Sequence, residues 1–347
     1  MSKQYKAAAL ISGGLDSLLA AKVMLEQGIH VEGINFFTGF CVEGHTAAIR
    51  KKQQDKPKRN NALWSAEQLG IKLHIIDIVD EYKDVLINPK HGYGANMNPC
   101  LDCKIFMVHK ALEWVKENDF DFIITGEVMG QRPMSQRKET MPVVANESGA
   151  EDLLLRPLCA KNLPMTKPEK EGWVDREKLL AFHGRNRKPQ MALAKEFGFE
   201  DYASPAGGCC FLTDENYSKK LVDLWQARSS RDYEMDDIML LKVGRHLRPK
   251  PYYKLIIGRE EGENKFMQGY TKMFTSIKTV SHAGPLCLVD GATDQDDLEY
   301  AAQIVARYSQ GKNEDAVTLQ INKLETEPYE VTVEPLTADA VKQDWHV

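Results

Sequence analysis

The chain has 347 residues, of which 43% are hydrophobic and 27% charged, with a formal net charge of −5. This is the make-up of a soluble globular protein long enough for two or three domains whose cores need no staples. There is no apolar run of about 18 residues to span a membrane, and mild acidity counts against nucleic acid unless the basic residues are clustered.

The N-terminal MSKQYKAAALISGG runs straight into a strand and shows no signal-peptide cleavage pattern, so the expected location is the cytoplasm. Residues 7–11 read as a buried strand, 17–27 as a helix ending at Gly28, and 31–37 as a second strand. A helix over 61–70 is closed by its own glycine, and 72–78 forms a third strand. Apolar residues recur at helical spacing over 103–118. Strands follow at 120–126 and 152–158. This alternation implies an α/β fold with a doubly wound parallel sheet, in which ligands bind at the carboxyl ends of the strands.

From residue 166 the pattern turns to charged helical segments, most clearly PQMALAKEFGF and ENYSKKLVDLWQA. After 232 come YYKLIIGR, SIKTVS, GPLCLVD, the helix DDLEYAAQIVARYS, and the alternating strands AVTLQIN and YEVTVEP. The expected division is a nucleotide-binding domain over 1–165, a helical connecting region over 166–231, and a smaller α+β domain over 232–347.

SGGLDS, residues 12–17, lies at the end of the first strand. It is neither GxxxxGK[ST] nor GxGxxG, but it suits a short phosphate-cradling turn. Gly13 and Gly14 allow backbone amides close to an anion, Ser12 and Ser17 add hydroxyls, and the following helix points its positive end at the same place. Asp16 would repel phosphate unless it helps to bind Mg²⁺ or caps the helix.

The seven cysteines are an odd number in a large chain without a recognisable secretion signal, which counts against a structural disulfide framework. Cys159 and Cys287 sit in apolar runs and read as small buried hydrophobes. In NMNPCLDCKIFM, Cys100 and Cys103 open a helix, where the dipole favours thiolate and the spacing puts both sulfurs on one face. SPAGGCCFLTD, residues 204–214, supplies Cys209 and Cys210, neighbours that in a strand point to opposite faces. One of them joining Cys100 and Cys103 suits an iron–sulfur cluster with one open iron or a persulfide relay. A zinc site is the alternative.

SGGLDS resembles the SGGxDS signature of the PP-loop ATP pyrophosphatases, with their adenine nucleotide alpha hydrolase-like fold. NPCLDCK is similar to the NPCxxCN segment of tRNA 2-thiouridylases of the MnmA type, and CCF to that family's later cysteine-phenylalanine. The order of loop, CxxC, RPL and GGCC looks like the ThiI-like or MnmA-like tRNA thiouridine synthases of the cluster-dependent type. LLKVGRHLRPKPYYKLIIGREEGEN, residues 240–264, resembles the RNA-binding domain of NFACT proteins.

The resemblance implies that Ser12, Gly13, Gly14, Asp16 and Ser17 hold the pyrophosphate of ATP with Mg²⁺. Asn35 and Phe36 would flank the adenosine, and Gly126 and Gln131 the α-phosphate. Asp16, Cys100, Cys103 and Cys210 would be catalytic, with Cys100, Cys103 and Cys209 or Cys210 holding a [4Fe-4S] cluster (Zn²⁺ in the alternative) or passing sulfur. The implied activity is ATP-dependent tRNA thiolation to 4-thiouridine or 2-thiouridine. The implied partners are tRNA, a sulfide or persulfide donor, and a second copy in a homodimer. No rhodanese-type segment is recognisable in these residues, which leaves the donor open. The alternatives are a nitrogen nucleophile beside a structural zinc, and a non-catalytic RNA-binding or quality-control module.

Three basic stretches answer the objection from net charge. RKKQQDKPKR (50–59) has six basic residues and one acid, RNRK occupies 185–188, and 242–259 has six Lys or Arg and no acid. Tyr252 and Tyr253 lie within the last, where tyrosines beside arginines can stack bases.

Overall fold

The structure is a computed structural model that describes residues 3–41, 59–203 and 210–347. Its first sheet comes from five short apolar segments: β1 (Lys6–Leu10), β2 (His30–Phe37), β3 (Leu73–Asp77), β4 (Phe122–Thr125) and β5 (Leu154–Leu155). They pair in the order β3-β2-β1-β4-β5, and every pairing is parallel. Helices α1 (Leu15–Leu25), α2 (Asn61–Leu69), α3 (Val79–Ile87), α4 (Cys100–Glu117), α5 (Thr140–Glu147), α6 (Lys167–Lys170) and α7 (Lys188–Glu196) accompany these strands.

The twofold period of a strand divides the core. Ala7, Ala9, Ile11, Phe122 and Ile124 face α1 and α7 on one side of the sheet. Ala8, Ile34, Phe36 and Ile123 face Val108, Ala111, Leu112 and Val115 of α4 on the other. The expected doubly wound sheet is therefore present. The strand order reverses between β1 and β4, and the carboxyl ends of those two strands open the crevice where such sheets take ligands.

The chain divides into two compact units, and among the described residues the second starts at Asp214. The segment 166–231 is thus shared between them, with α8 (Glu215–Arg228) in the second unit. Also in that unit are α9 (Met235–Leu240), β6 (Arg245–Lys250), β7 (Tyr253–Ile257), α10 (Glu261–Gln268), β8 (Thr275–Thr279), β9 (Leu286–Gly291), α11 (Gln295–Arg307), β10 (Val317–Asn322) and β11 (Tyr329–Val333). The six strands form an antiparallel sheet in the order β11-β10-β8-β9-β7-β6. Tyr253, Leu255 and Ile257 pack with α11, while Ile256 and Leu288 pack with Met267 on the opposite face.

β6 does not read as a strand in the sequence because RHLRPK is basic and contains a proline. As an edge strand it tolerates Pro249, and its register slips between Leu247 and Lys250. The C-terminal tail lies on this edge, with Leu247 bridging His346 and the Val347 amide donating to the His246 carbonyl. Among the described residues, no helix is long and apolar enough to cross a membrane.

Lys254 points into a core and is 1% exposed. It survives there because Asp290, its register partner on β9, and Asp223 on α8 place carboxylates at 3.5 and 3.4 Å. Arg248 also grips Asp223 with two donors. Burial pushes the Asp223 carboxyl upward, but the Arg248 hydrogen bond and the Lys254 charge more than offset that and hold it below its usual range.

His246 is buried, with Nε2 donating to the carbonyls of Val243 and Leu240 and Nδ1 without a partner. Burial, and then the charges of Lys220 and Lys254, hold it well below the ordinary imidazole range. The unfolded chain therefore takes this proton first, and the stability His246 contributes is complete above about pH 6.5 and lost as pH falls below it. Asp223 adds a second loss below about pH 4, again because its folded form resists protonation. Thermal unfolding of the full chain is expected to weaken from about pH 7.5 to about pH 5, and His246→Gln, which keeps a donor for the carbonyls, to flatten that slope. Parallel slopes for the two proteins would show that His246 is not the titrating group.

Candidate functional site

The SGGLDS turn is shaped by what surrounds it. Gly13 has φ +78°, and a Cβ there would stand 2.7 Å from the Ala62 nitrogen, because the start of α2 packs on the turn. Ser17 Oγ donates to the Gly14 carbonyl at 2.9 Å and accepts from the Ser12 amide at 3.3 Å. Gly14 is the N-cap of α1 and has no side chain to cap it. The first-turn amides of α1 thus point from the end of β1 with the positive end of the helix dipole behind them, which is an anion-binding arrangement.

Gly126, at the end of β4, lies so close to the backbone of Asp16 and Ser17 that a Cβ would overlap both residues. That contact brings the β4 loop onto Asp16. Gln131 Nε2 donates to Asp16 Oδ2 at 2.6 Å, and Gln190 Nε2 in turn donates to Gln131 Oε1 at 2.8 Å. Arg187 Nη2 lies 3.3 Å from the same carboxylate oxygen. Asp16 Oδ1 is buried without a partner. A hard cation such as Mg²⁺ fits this oxygen, so the residues present suit the expected ion.

Asn35 uses its amide to hold the Ile11 carbonyl at 2.7 Å, tying β2 to the base of the turn. The Phe36 side chain is buried in the core on the α4 face, which leaves only its backbone for a ligand at this edge.

Sequence reasoning missed a buried pair beside the turn. Glu127 accepts from Thr125 Oγ1 at 2.9 Å and from Arg156 Nε at 3.1 Å, and Arg156 Nη2 donates to the Met141 carbonyl. Burial pushes the Glu127 carboxyl up, but the charges of Lys104 and Arg156 and two hydrogen bonds leave it below its ordinary range. Arg156 belongs to the RPL segment, so the motif was visible while its partner was not. Cys159 lies beneath, with its thiol on the Glu127 carbonyl and pushed by burial to about 11, and Cys287 is likewise buried and pushed up. Both are core residues, as expected.

Cys41, Cys100, Cys103 and Cys210 lie towards the carboxyl edge of the sheet. α4 precedes β4 and so starts at that edge, with Cys100 Sγ 3.8 Å from Ser135 Oγ in the β4 loop. Cys41 follows β2. Cys210 forms an antiparallel bridge with Cys41, and Asn96 Nδ2 donates to the Thr213 carbonyl at 3.0 Å. Ala203 forms a parallel bridge with Gly14, so residue 203 lies beside the turn. Cys209 lies outside the described residues. Among the described residues, no group of three or more His, Cys, Asp or Glu is placed to hold a metal ion, and Cys209, one of the expected ligands, is not among them.

The basic stretches also change meaning. Residues 50–58 lie outside the described residues, while Arg59 stacks on Trp64 and pairs with Asp201. Arg187 of RNRK turns into the site. Within 242–259, Lys254 is buried and Arg248, Lys250 and Arg259 pair with Asp223, Asp297 and Glu263, acids supplied by other elements. Tyr253 is fully buried and cannot stack a base, whereas Tyr252 is 51% exposed.

Gly126→Ala should cost about 1–3 kcal/mol in chemical denaturation, because the overlap is with backbone. Arg156→Met should cost about 3–5 kcal/mol by stranding buried Glu127. Adding Glu127→Gln should recover a large part of the Arg156→Met loss, and additive losses would refute the pairing.

Residues 2–164 match the family model described as thiamine biosynthesis protein (ThiI), and residues 244–346 match that of the NFACT protein RNA binding domain. A tRNA-specific 2-thiouridylase of Phocaeicola vulgatus is 27% identical over 41% of this chain and 37% of its own length. One from Cytophaga hutchinsonii is 25% identical over 80% of this chain and 73% of its own. The chain spans about a third of the length of the first curated relatives it matches, 32–37%. A solved 4-thiouridine synthetase–RNA complex with bound ATP aligns with a TM-score of 0.34 and 19% identity, over 57% of this chain and 54% of that one. The chain is thus similar to the ThiI family over residues 2–164 and to the NFACT RNA-binding domain over residues 244–346.

Proposed function

We propose that the protein activates a tRNA uridine with ATP and replaces a carbonyl oxygen of that base with sulfur. One observation carries the reading: the uncapped turn at residues 12–17 and the thiol-bearing segments around Cys100 and Cys210 meet at one edge of one sheet. The names of the curated relatives, tRNA-specific 2-thiouridylases, support it.

In this reading Ser12, Gly13, Gly14, Ser17 and the first-turn amides of α1 hold the departing pyrophosphate. Asp16 holds a divalent cation, which supplies positive charge to the phosphates when bound. Gly126 and Gln131 border the α-phosphate, and Asn35 with the backbone at Phe36 borders the adenosine. The uridine carbonyl oxygen attacks the α-phosphorus, and the bond to pyrophosphate breaks. Fixed amide donors already aimed at that charge stabilise it without reorganising. A sulfur nucleophile delivered through Cys100, Cys103 or Cys210 then bonds to the base carbon, and AMP leaves with the former carbonyl oxygen. The NFACT-type region would bind the tRNA, with exposed Arg245 and Tyr252 on offer to phosphate and base.

The test incubates anaerobically purified protein with ATP, Mg²⁺, sulfide and unmodified tRNA, then analyses the nucleosides by chromatography and mass spectrometry. A new thiouridine is expected, and its retention and absorbance separate the 2-thio from the 4-thio isomer. Asp16→Asn should lower pyrophosphate release by about 10²-fold. Cys100→Ala should abolish thiouridine while pyrophosphate release persists. Full-rate thiolation by both Cys100→Ala and Cys103→Ala would overturn the sulfur step. Pyrophosphate release without a thiolated base in the parent protein would turn the reading to a nitrogen nucleophile.

A further inference from the structure

Of the three basic residues in RNRK, Arg185 and Lys188 are exposed, whereas Arg187 turns into the crevice with a side chain 21% exposed. The backbone puts it there. His183 forms a parallel bridge with Met129, and the Gly184 amide donates to the Met129 carbonyl at 2.7 Å, so this segment runs alongside the loop after β4. Arg187 is then the N-cap residue of α7. Three residues on, Gln190 is 1% exposed and donates to Gln131, which itself donates to Asp16. One short segment therefore approaches Asp16 twice, directly through Arg187 and indirectly through Gln190.

The contact between Arg187 and Asp16 is loose. A single pair of atoms, Nη2 and Oδ2, stands at 3.3 Å, and Oδ2 already accepts from Gln131 at 2.6 Å. Where a guanidinium of this chain is committed to a carboxylate, as in Arg59 with Asp201 or Arg228 with Asp237, both terminal nitrogens meet both oxygens. A guanidinium carries five N–H donors in a rigid fork. Among the described residues, most of the Arg187 fork has no protein acceptor, and it lies beside the uncapped turn on the side of the Gly126–Gln131 loop. A mostly buried cation with spare donors at an anion-binding turn is matched to a phosphoryl group.

We propose that Arg187 holds the α-phosphate of ATP during adenylyl transfer, an inference that rests on the ATP step of the thiolation reading. Its place beside Gln131 favours the α-phosphate over the pyrophosphate, which the amides of α1 take. The bond from the uridine oxygen to phosphorus forms, the bond from phosphorus to the bridging oxygen breaks, and that electron pair leaves with pyrophosphate. Arg187 moves no proton. It sets fixed positive charge against the non-bridging oxygens as phosphorus passes through five-coordination.

Binding separates this role from a structural one. Isothermal titration of the full chain measures AMP in EDTA and inorganic pyrophosphate with Mg²⁺, in the parent, Arg187→Gln and Arg185→Gln. Arg187→Gln should weaken AMP at least about tenfold and pyrophosphate less than about twofold, so that pyrophosphate reports an intact turn in the same protein. Arg185→Gln should change neither by more than about twofold, and Arg187→Lys, which keeps the charge but not the fork, should recover part of the AMP affinity. Unchanged AMP affinity in Arg187→Gln, or equal loss of AMP and pyrophosphate, would overturn the proposal.

A double-mutant cycle tests the direct contact. The Met129 bridge and Gln190 hold the segment without Asp16, so in the Asp16→Asn background the AMP loss caused by Arg187→Gln should persist. If it disappears there, Arg187 acts only through Asp16 and does not touch the phosphate. Pyrophosphate release by Arg187→Gln should fall at least about 10²-fold, and release within about threefold of the parent would overturn the role in transfer. A parent protein that binds neither AMP nor pyrophosphate would remove the ATP reading itself, and the role of Arg187 with it.

Discussion

The absence of one side chain, at Gly126, sets the geometry of the first unit. β4 ends with its backbone against that of Asp16 and Ser17, closer than any Cβ would allow. This contact fixes the spacing between the turn after β1 and the loop after β4 at the point where the strand order reverses. Everything polar in the crevice follows from it. Gln131 reaches Asp16, Gln190 reaches Gln131, and Arg187 arrives from the start of α7 to share the same carboxylate. A carboxylate beside an anion-binding turn would otherwise be a liability. Here Gln131 and Arg187 orient it through one oxygen, and the other is buried without a partner.

The sequence made the scaffold readable because burial on both faces makes parallel strands nearly continuous apolar runs, and AAALI, VEGINFF and FDFIITG stand out from the charged helices between them. The turn was readable because glycine at positive φ and a helix start leave a local imprint. What stayed hidden depends on contacts between distant positions. Nothing near Arg187 announces Asp16, nothing near Arg156 announces Glu127, and nothing near Cys41 announces Cys210. Helices α3 and α5 escaped notice for a local reason, since each is short and buries only two or three side chains.

The second unit shows how charge in a sequence misleads about charge on a surface. A run of six basic residues without an acid reads as a stripe for phosphate. In the fold, antiparallel pairing sets Asp290 opposite Lys254, α8 brings Asp223 to Arg248, and α11 brings Asp297 to Lys250. Strand alternation turns Lys254 and Tyr253 into the core on opposite faces of β7. The basic and aromatic groups left facing solvent are fewer and more widely spaced than the sequence suggests, and Arg245 and Tyr252 are among them.

The edge of that sheet has a consequence for how the molecule behaves in a crowd. An exposed outer strand is a template on which another chain can add itself, hydrogen bond by hydrogen bond. β6 defeats this in three ways. Pro249 removes an amide donor from the row, the register slip between Leu247 and Lys250 breaks the even spacing an incoming strand would need, and the tail at His346 and Val347 occupies part of what remains. The same features that hid β6 in the sequence make it a poor seed for strand-to-strand aggregation, which protects a sheet whose interior strands are apolar enough to propagate one.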